Sequence, residues 1–183
     1  MNVLSILVRA ICRLNQVLGY IFSWFSLGIV LVCFTVVVLR YFFSIGHVWM
    51  QDLFVWLNGM MFMGIAGYTL MEGHHVRVDI FYRPLPIRKK AWVDLIGSFV
   101  FIAPFVSMVV VYGLPYVRRS WRYMEGSANY GGMDGLYVVK SFIIIFAVVV
   151  GLQALAMVLR SVLILFNRED LVPDYYRYKM SEG

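Results

Sequence analysis

Four long runs of residues without a charged side chain divide the chain. They cover residues 14–39, 53–71, 95–117 and 141–159. A helix rises about 1.5 Å per residue, so each run can cross a hydrocarbon core of roughly 30 Å. The runs do not alternate between apolar and polar residues, as the strands of a membrane β-barrel do. The pattern therefore predicts an all-α integral membrane protein with four transmembrane helices.

The segments that flank these runs have different patterns. Before the first run, apolar residues recur at helical spacing with polar residues mostly on the opposite face, at Val3, Leu4, Leu7, Val8, Ile11 and Leu14. This pattern predicts a short amphipathic helix at the membrane surface ahead of the first span. Residues 1–166 are predicted as a single four-helix membrane domain and residues 167–183 as a cytoplasmic polar tail. Within the third run, Pro104 is expected to kink the helix because proline removes a backbone hydrogen bond.

The composition supports lipid as the solvent of these runs. The chain of 183 residues is 62% hydrophobic and 14% charged, with a mean hydropathy of +0.79. Soluble domains average roughly 45–50% apolar and about 25% charged residues. The net charge is +6, but the basic residues mostly flank the apolar runs, as membrane topology requires. Nucleic-acid binding is therefore not predicted.

The distribution of lysine and arginine predicts the orientation in the membrane. Most of these residues lie in the N-terminal arm, in the connection between the second and third spans, and in the tail. Because basic loops stay in the cytoplasm, we expect both termini to be cytoplasmic. Arg118, Arg119 and Arg122 depart from this trend, since they are predicted at the opposite membrane face.

Polar side chains inside the predicted spans are sparse. Asn58 and Gln153 are the amides well inside the runs. An intramembrane amide can line a polar pathway or form a hydrogen bond between helices, and the second interpretation is favoured here. The chain is therefore not expected to carry ions or substrate by itself.

Residues 72–79, with the sequence EGHHVRVD, concentrate the groups that could bind a metal. The potential zinc ligands are Glu72, His74, His75 and Asp79. Adjacent histidines on a helix point about 100° apart and rarely bind one ion. We therefore predict neither a metal site nor a catalytic site, and we expect Glu72 and Gly73 to end the second span.

A small membrane redox or quinone-linked enzyme subunit is the alternative function. Membrane haem requires histidines on facing helices, whereas His47, His74 and His75 all lie in connections. A thiol enzyme requires reactive cysteine pairs, and Cys12 and Cys33 are far apart in the sequence. The inventory of residues makes this alternative the weaker one.

Small and flexible residues recur on one side of the second predicted span. Gly59, Met63 and Gly67 are spaced by four residues. Small residues let helices approach closely in lipid, and methionine adapts to irregular surfaces. The stripe therefore predicts a packed protein–protein surface rather than a cofactor site.

Motif residues within 40–79 carry a family resemblance, at Arg40, Tyr41, Trp49, Glu72, Gly73, His75, Val76, Arg77, Val78 and Asp79. With these residues, the chain resembles the small four-span (Q-type) membrane subunit of TRAP (tripartite ATP-independent periplasmic) transporters, over about residues 12–166. Gln51-Asp52 departs from the two adjacent glutamates that are usual in the family. Residues 125–143 resemble a branch often linked to 2-oxo acids and lactate, but Val138-Val139 replaces its usual Trp-Pro. The sequence therefore names no substrate.

The resemblance implies a non-catalytic scaffold, or stator, in a sodium-coupled transporter for organic acids. Its partners would be a large membrane subunit of about twelve spans and a periplasmic substrate-binding protein, in the bacterial inner membrane. No cofactor is expected in this chain, and the complex would use a sodium gradient. The residues expected at subunit interfaces or in structural motifs are Arg40, Trp49, Asp52, Gly59, Met63, Gly67, Glu72, Gly73, His75, Arg77 and Asp79. Arg118, Arg119 and Arg122 are expected to help dock the binding protein.

Overall fold

The computed structural model describes residues 3–73, 85–168 and 171–177. Its helices are α1 (Val3–Phe42), α2 (Val48–Met71), α3 (Ile87–Gly97), α4 (Ala103–Arg122) and α5 (Leu136–Leu165). A π-helical turn, Ser98–Ile102, joins α3 to α4, and a 3-10 turn, Asp174–Tyr176, follows α5. Among the described residues, α1, α2, the unit Ile87–Arg122 and α5 are the helices long and apolar enough to cross a membrane. The predicted fold of four membrane-spanning helices is confirmed.

The central helix of the bundle is α5, which contacts α1, α2, α3 and α4. Its inner surface is built mostly from small and β-branched residues, including Ala147, Val150, Ala154 and Ala156. Small side chains bring neighbouring helices close enough for extensive van der Waals contact, which is the main force between helices in lipid. Because α5 contacts these four helices, polar side chains from them can reach it.

Helix α1 is continuous from Val3 to Phe42, and no separate amphipathic helix precedes the first span among the described residues. Because no glycine or proline lies between residues 3 and 18, nothing interrupts the backbone hydrogen bonds before the span. The buried side of its first turns carries Ser5, Cys12 and Asn15 together with Val8 and Ile11. Other large apolar residues, such as Val3 and Ile6, lie on the outside of the bundle.

Close contact between α1 and α2 depends on glycines in both helices. Gly19 of α1 lies against the Tyr68 side chain, and a Cβ atom at position 19 would come within 2.6 Å of the Tyr68 Cγ. Gly64 of α2 lies in the same way against the Phe22 ring. Each glycine thus accommodates an aromatic ring from the facing helix, which fixes the register of α1 along α2.

The helical hydrogen-bond pattern of the third span changes directly before Pro104, the residue at which the sequence predicts a kink. Pro104 lies at the start of α4, directly after the π-helical turn Ser98–Ile102. Proline offers no backbone N–H to the preceding turn, and a π-helical turn is one of the recognised ways in which a helix changes its hydrogen-bond register. The Ser98 hydroxyl donates to the Asp94 carbonyl at 2.7 Å, so the turn keeps a side-chain bond to α3.

Candidate functional site: two polar clusters along the central helix

The first cluster fastens the α4–α5 loop, residues 123–135, to the start of α2. The Asp52 side chain is only 6% exposed. Its Oδ1 accepts a hydrogen bond from the Asn129 Nδ2 at 2.8 Å, and its Oδ2 accepts one from the Met133 backbone N–H at 3.0 Å. Within the loop, the Ser127 N–H donates to the Met133 carbonyl at 2.9 Å. One carboxylate therefore holds two points of the loop, and we call this arrangement the loop clamp.

A second set of contacts ties the same loop to the first turns of α5. The Lys140 ammonium donates to Glu125 at 2.5 Å and lies 4.2 Å from the centre of the Tyr116 ring. The Trp121 Nε1 donates to the Ser141 hydroxyl at 2.8 Å. Because these residues come from α4, the loop and α5, the two helices and their connection form one braced unit.

The Glu125–Lys140 pair is expected to make this braced unit sensitive to acid. The hydrogen bond from Lys140 holds the pKa of Glu125 below its usual value. The pair's contribution to stability is therefore complete above the pKa of an unfolded glutamate, about 4.3, and is lost as the pH falls through the lower folded pKa. The thermal unfolding midpoint of wild type should exceed that of Glu125→Gln at pH 7, and the difference should vanish in acid. In a Lys140→Gln background, the Glu125→Gln substitution should no longer change the midpoint. A difference between wild type and Glu125→Gln that persists below the folded pKa of Glu125 would contradict the assignment.

Replacing Asp52 by asparagine is expected to release the loop without unfolding the bundle. The amide that replaces one carboxylate oxygen would place a donor against either the Asn129 amide or the Met133 N–H, both of which are donors themselves. Limited proteolysis within residues 123–135 should therefore become several times faster. Gln51→Ala, at the exposed neighbouring position, is the matched control and should leave the cleavage rate unchanged. Equal rates in both variants would argue against the loop clamp.

The second cluster is a buried chain of polar side chains toward the other end of α5. The Asn15 Nδ2 donates to the Gln153 Oε1 at 2.8 Å, and the Gln153 Nε2 donates to the Tyr176 hydroxyl at 2.8 Å. Gln153 is fully buried. The predicted helix–helix hydrogen bond of Gln153 is confirmed, and it connects α1 and α5 to the segment after α5. Asn58, the other predicted amide, is exposed on the surface of the subunit.

A buried ion pair extends this cluster to α3. The Arg160 Nη2 lies 2.7 Å from the Asp94 Oδ2, and the two side chains are 8% and 4% exposed. The guanidinium also lies 4.3 Å from the centre of the Tyr176 ring and donates to the Tyr176 carbonyl at 3.3 Å. Lys140 and Arg160 are separated by roughly 30 Å along α5. The two clusters therefore lie near opposite ends of the central helix.

The end of α2 agrees with the sequence prediction. The helix ends at Met71, Glu72 is its C-cap, and Gly73 has a φ of +74°. This left-handed conformation is common directly after helices and favours glycine. His74 and the motif residues His75, Arg77 and Asp79 lie outside the described residues. At the other motif positions, Arg40 and Trp49 are exposed at the end of α1 and the start of α2.

The predicted stripe Gly59–Met63–Gly67 divides into positions with different surroundings. Gly67 is buried, and a Cβ atom there would overlap the Asn15 side chain and come within 2.9 Å of the Val149 carbonyl oxygen. At Gly59 the nearest atom would be a Val139 methyl at 4.0 Å. Met63 is half-buried. Gly67 thus belongs to the internal packing beside the buried polar chain, whereas Gly59 has space around it.

The remaining candidates for chemistry are dispersed. Cys12 is buried and Cys33 is exposed farther along the same helix, and neither forms a disulfide. Within the described parts of the chain, no three His, Cys, Asp or Glu side chains are grouped so that they could hold a metal ion. Arg118, Arg119 and Arg122, in contrast, are brought together, since they line one cleft at the end of α4.

The sequence pattern does not identify several residues of the two clusters, namely Asn15, Asp94, Glu125, Lys140, Arg160 and Tyr176. Their partners are distant in sequence, with 138 positions between Asn15 and Gln153 and 66 between Asp94 and Arg160. A usable signal existed in α1, where small and polar residues recur at helical spacing among larger apolar ones. In lipid, such a face is the one that packs against protein.

Comparison with known protein families gives a match over most of the chain. The family model described as "Tripartite ATP-independent periplasmic transporters, DctQ component" matches residues 29–168. The match includes the loop clamp and the Asp94–Arg160 pair, whereas Asn15 and Tyr176 lie beyond its ends. Comparisons with curated proteins and with solved structures give no significant match.

Proposed function

Because the chain belongs to the DctQ family, the small membrane component of TRAP transporters, we propose that it is a non-catalytic stator. In this role it braces the large membrane subunit while that subunit moves the substrate. The chain is a multi-pass membrane protein of a transport system. To this family assignment we add the mechanical role of the chain and the proteins with which it would act.

The observation that supports a stator best is the internal cross-linking of the helices by polar contacts. The central helix α5 is bonded to α1 through Gln153, to α3 through Arg160 and to the α4–α5 loop through Lys140. Buried polar contacts between helices resist separation, because each partner would be left unsatisfied in lipid. A support needs this fixed geometry, since it must keep its shape while its partner moves.

The outer surface of α1 is suited to contact with the large subunit. Apolar side chains at Val30, Phe34 and Tyr41 are 63%, 66% and 80% exposed, and they lie at helical spacing along one side. Such a surface packs equally well against lipid or against another membrane helix. We propose that the large subunit covers part of this side of α1.

The proposal assigns substrate and ion binding to other chains. A sodium gradient would drive uptake of an organic acid through the large subunit, and the soluble binding protein would select that acid. This chain would need neither a cofactor nor a bound ion. With both termini in the cytoplasm, the loop clamp would face the periplasm of a bacterial inner membrane. The braced loop, in which Tyr130 is fully exposed, would then help dock the binding protein.

Reconstitution in liposomes tests the stator role. We expect sodium-driven uptake of a radiolabelled carboxylate, chosen because the cognate binding protein retains it, when all three proteins are present. Uptake should be largely lost when this chain is omitted, and the chain alone should take up nothing. Co-purification with the large subunit should accompany the full activity. Uptake by the isolated chain, or full uptake without it, would refute the proposed role.

A further inference from the structure

A basic cleft lies at the C-terminal end of α4. It has a volume of about 610 Å³ and is lined by Pro115, Arg118, Arg119, Arg122 and Tyr123. Ligand pockets typically enclose roughly 300–1,000 Å³, so the cleft is large enough for a small phosphorylated group. All three arginines are exposed.

The cleft continues into an apolar surface on the same side of α4. Met108, Val111 and Pro115 are spaced by three or four residues, and this spacing continues to Arg118 and Arg122. Residues so spaced lie on one face of a helix. Met108 and Val111 are 62% and 63% exposed. One helix face therefore changes from apolar, within the span, to cationic at its end.

The three arginines also lack a partner within the described part of the chain. None of the salt bridges between described residues includes Arg118, Arg119 or Arg122. Glu125, the carboxylate next to the cluster in sequence, is bound to Lys140. Three uncompensated positive charges at a membrane boundary attract an anion, and guanidinium groups bind phosphate through paired hydrogen bonds.

We propose that this cleft binds the phosphate headgroup of an anionic phospholipid whose acyl chains lie along the Met108–Val111 face of α4. A diester phosphate supplies the negative charge, and the apolar face supplies the surface for the chains. Three cationic groups favour a lipid with net negative charge over a zwitterionic one. A soluble protein partner would contact the arginines alone, whereas a phospholipid contacts both the arginines and the adjoining apolar face. The proposal depends on the membrane location of the chain and not on its role as a stator.

Native mass spectrometry of the full-length chain tests the proposal, with dioleoyl phosphatidylglycerol and dioleoyl phosphatidylcholine added at equal concentration. Wild type should retain phosphatidylglycerol preferentially. The triple variant Arg118→Gln/Arg119→Gln/Arg122→Gln should lose roughly tenfold or more of this binding, since each basic residue contributes about 1 kcal/mol near an anionic surface. Arg40→Gln removes an exposed arginine from the last turn of α1, and should keep the binding. Circular dichroism checks that the triple variant remains helical.

Several outcomes would overturn the assignment. Equal retention of the two lipids by wild type would show that the cleft does not select anionic headgroups. If Arg40→Gln and the triple variant lose bound phosphatidylglycerol equally, the binding reflects unspecific charge attraction. Equal displacement of the lipid by glycerol 3-phosphate and by free phosphatidylglycerol, each at the same concentration, would show that the apolar face contributes nothing. If the triple variant keeps its lipid but loses affinity for the cognate binding protein, the arginines form the protein-docking surface predicted from the sequence.

Discussion

Replacing Arg160 by methionine is expected to lower the free energy of unfolding by about 3–5 kcal/mol. The substitution leaves the Asp94 carboxylate, which is 4% exposed, without the guanidinium 2.7 Å away. Removing one partner of a buried ion pair costs more than the lost attraction, because the remaining buried charge loses part of its compensation. The variant also loses the stacking of Arg160 on the Tyr176 ring. The segment after α5 should therefore loosen together with α3.

Unfolding by sodium dodecyl sulfate in mixed micelles, followed by circular dichroism, measures this effect. Arg168→Met is the matched control, because Arg168 is exposed just beyond α5 and exposed substitutions usually change stability by less than about 0.5 kcal/mol. The double variant Asp94→Leu/Arg160→Met should recover much of the loss, since a buried pair can often be replaced by apolar residues at little cost. If Arg160→Met were no less stable than Arg168→Met, the pair would not hold α3 to α5.

The fold was largely predictable because the solvent is lipid. A charge-free run long enough to cross the core has few alternatives to a helix, and each of the four predicted runs lies inside one described helical unit. The ends of the helices were less predictable, because a helix continues through a charged residue when that residue has a partner or reaches water. Arg160 illustrates this, since α5 runs past it to Leu165 with Asp94 as its partner.

The first turns of α1, predicted as a separate amphipathic helix, bury a different face from the one that the sequence indicated. Apolar periodicity at Val3 and Leu7 indicated the face expected to be buried in a membrane surface. In the structure the buried face of α1 carries Ser5, Cys12 and Asn15 together with Val8 and Ile11, whereas Val3 and Leu7 remain outside. A membrane provides an apolar solvent for large side chains, so protein contacts select small and hydrogen-bonding residues.

The two polar clusters were predictable only in part, because their residues are far apart in the sequence. Family resemblance drew attention to Asp52, but its partners lie 77 and 81 positions away in a loop. Gln153 was predicted to bond another helix, and nothing in the sequence identified Asn15 as its partner. A single sequence gives the kind of bond that a buried amide requires, whereas its partner depends on the packing.

Gly67→Ala is expected to destabilise the bundle by up to roughly 3 kcal/mol, the upper part of the range for overpacked interiors. The new methyl group would overlap the Asn15 side chain and approach the Val149 carbonyl oxygen to 2.9 Å. A backbone carbonyl cannot rotate away as a side chain can, so α2 must move from α5. The displaced Asn15 would also strain its hydrogen bond to Gln153.

Gly59→Ala provides the matched control in the same helix and the same predicted stripe. Its methyl group would lie 4.0 Å from the nearest atom, a Val139 methyl, and alanine is about 1 kcal/mol better than glycine in a helix. This variant should therefore be as stable as wild type or slightly more stable in the detergent unfolding assay.

Assembly with the large subunit gives a second measurement. An alanine at a subunit interface should impair co-purification without loss of stability. If Gly59→Ala impairs assembly while Gly67→Ala impairs stability, the stripe serves an interface at Gly59 and internal packing at Gly67. Equal stability of the two variants would refute the close approach of α2 to α5 at Gly67.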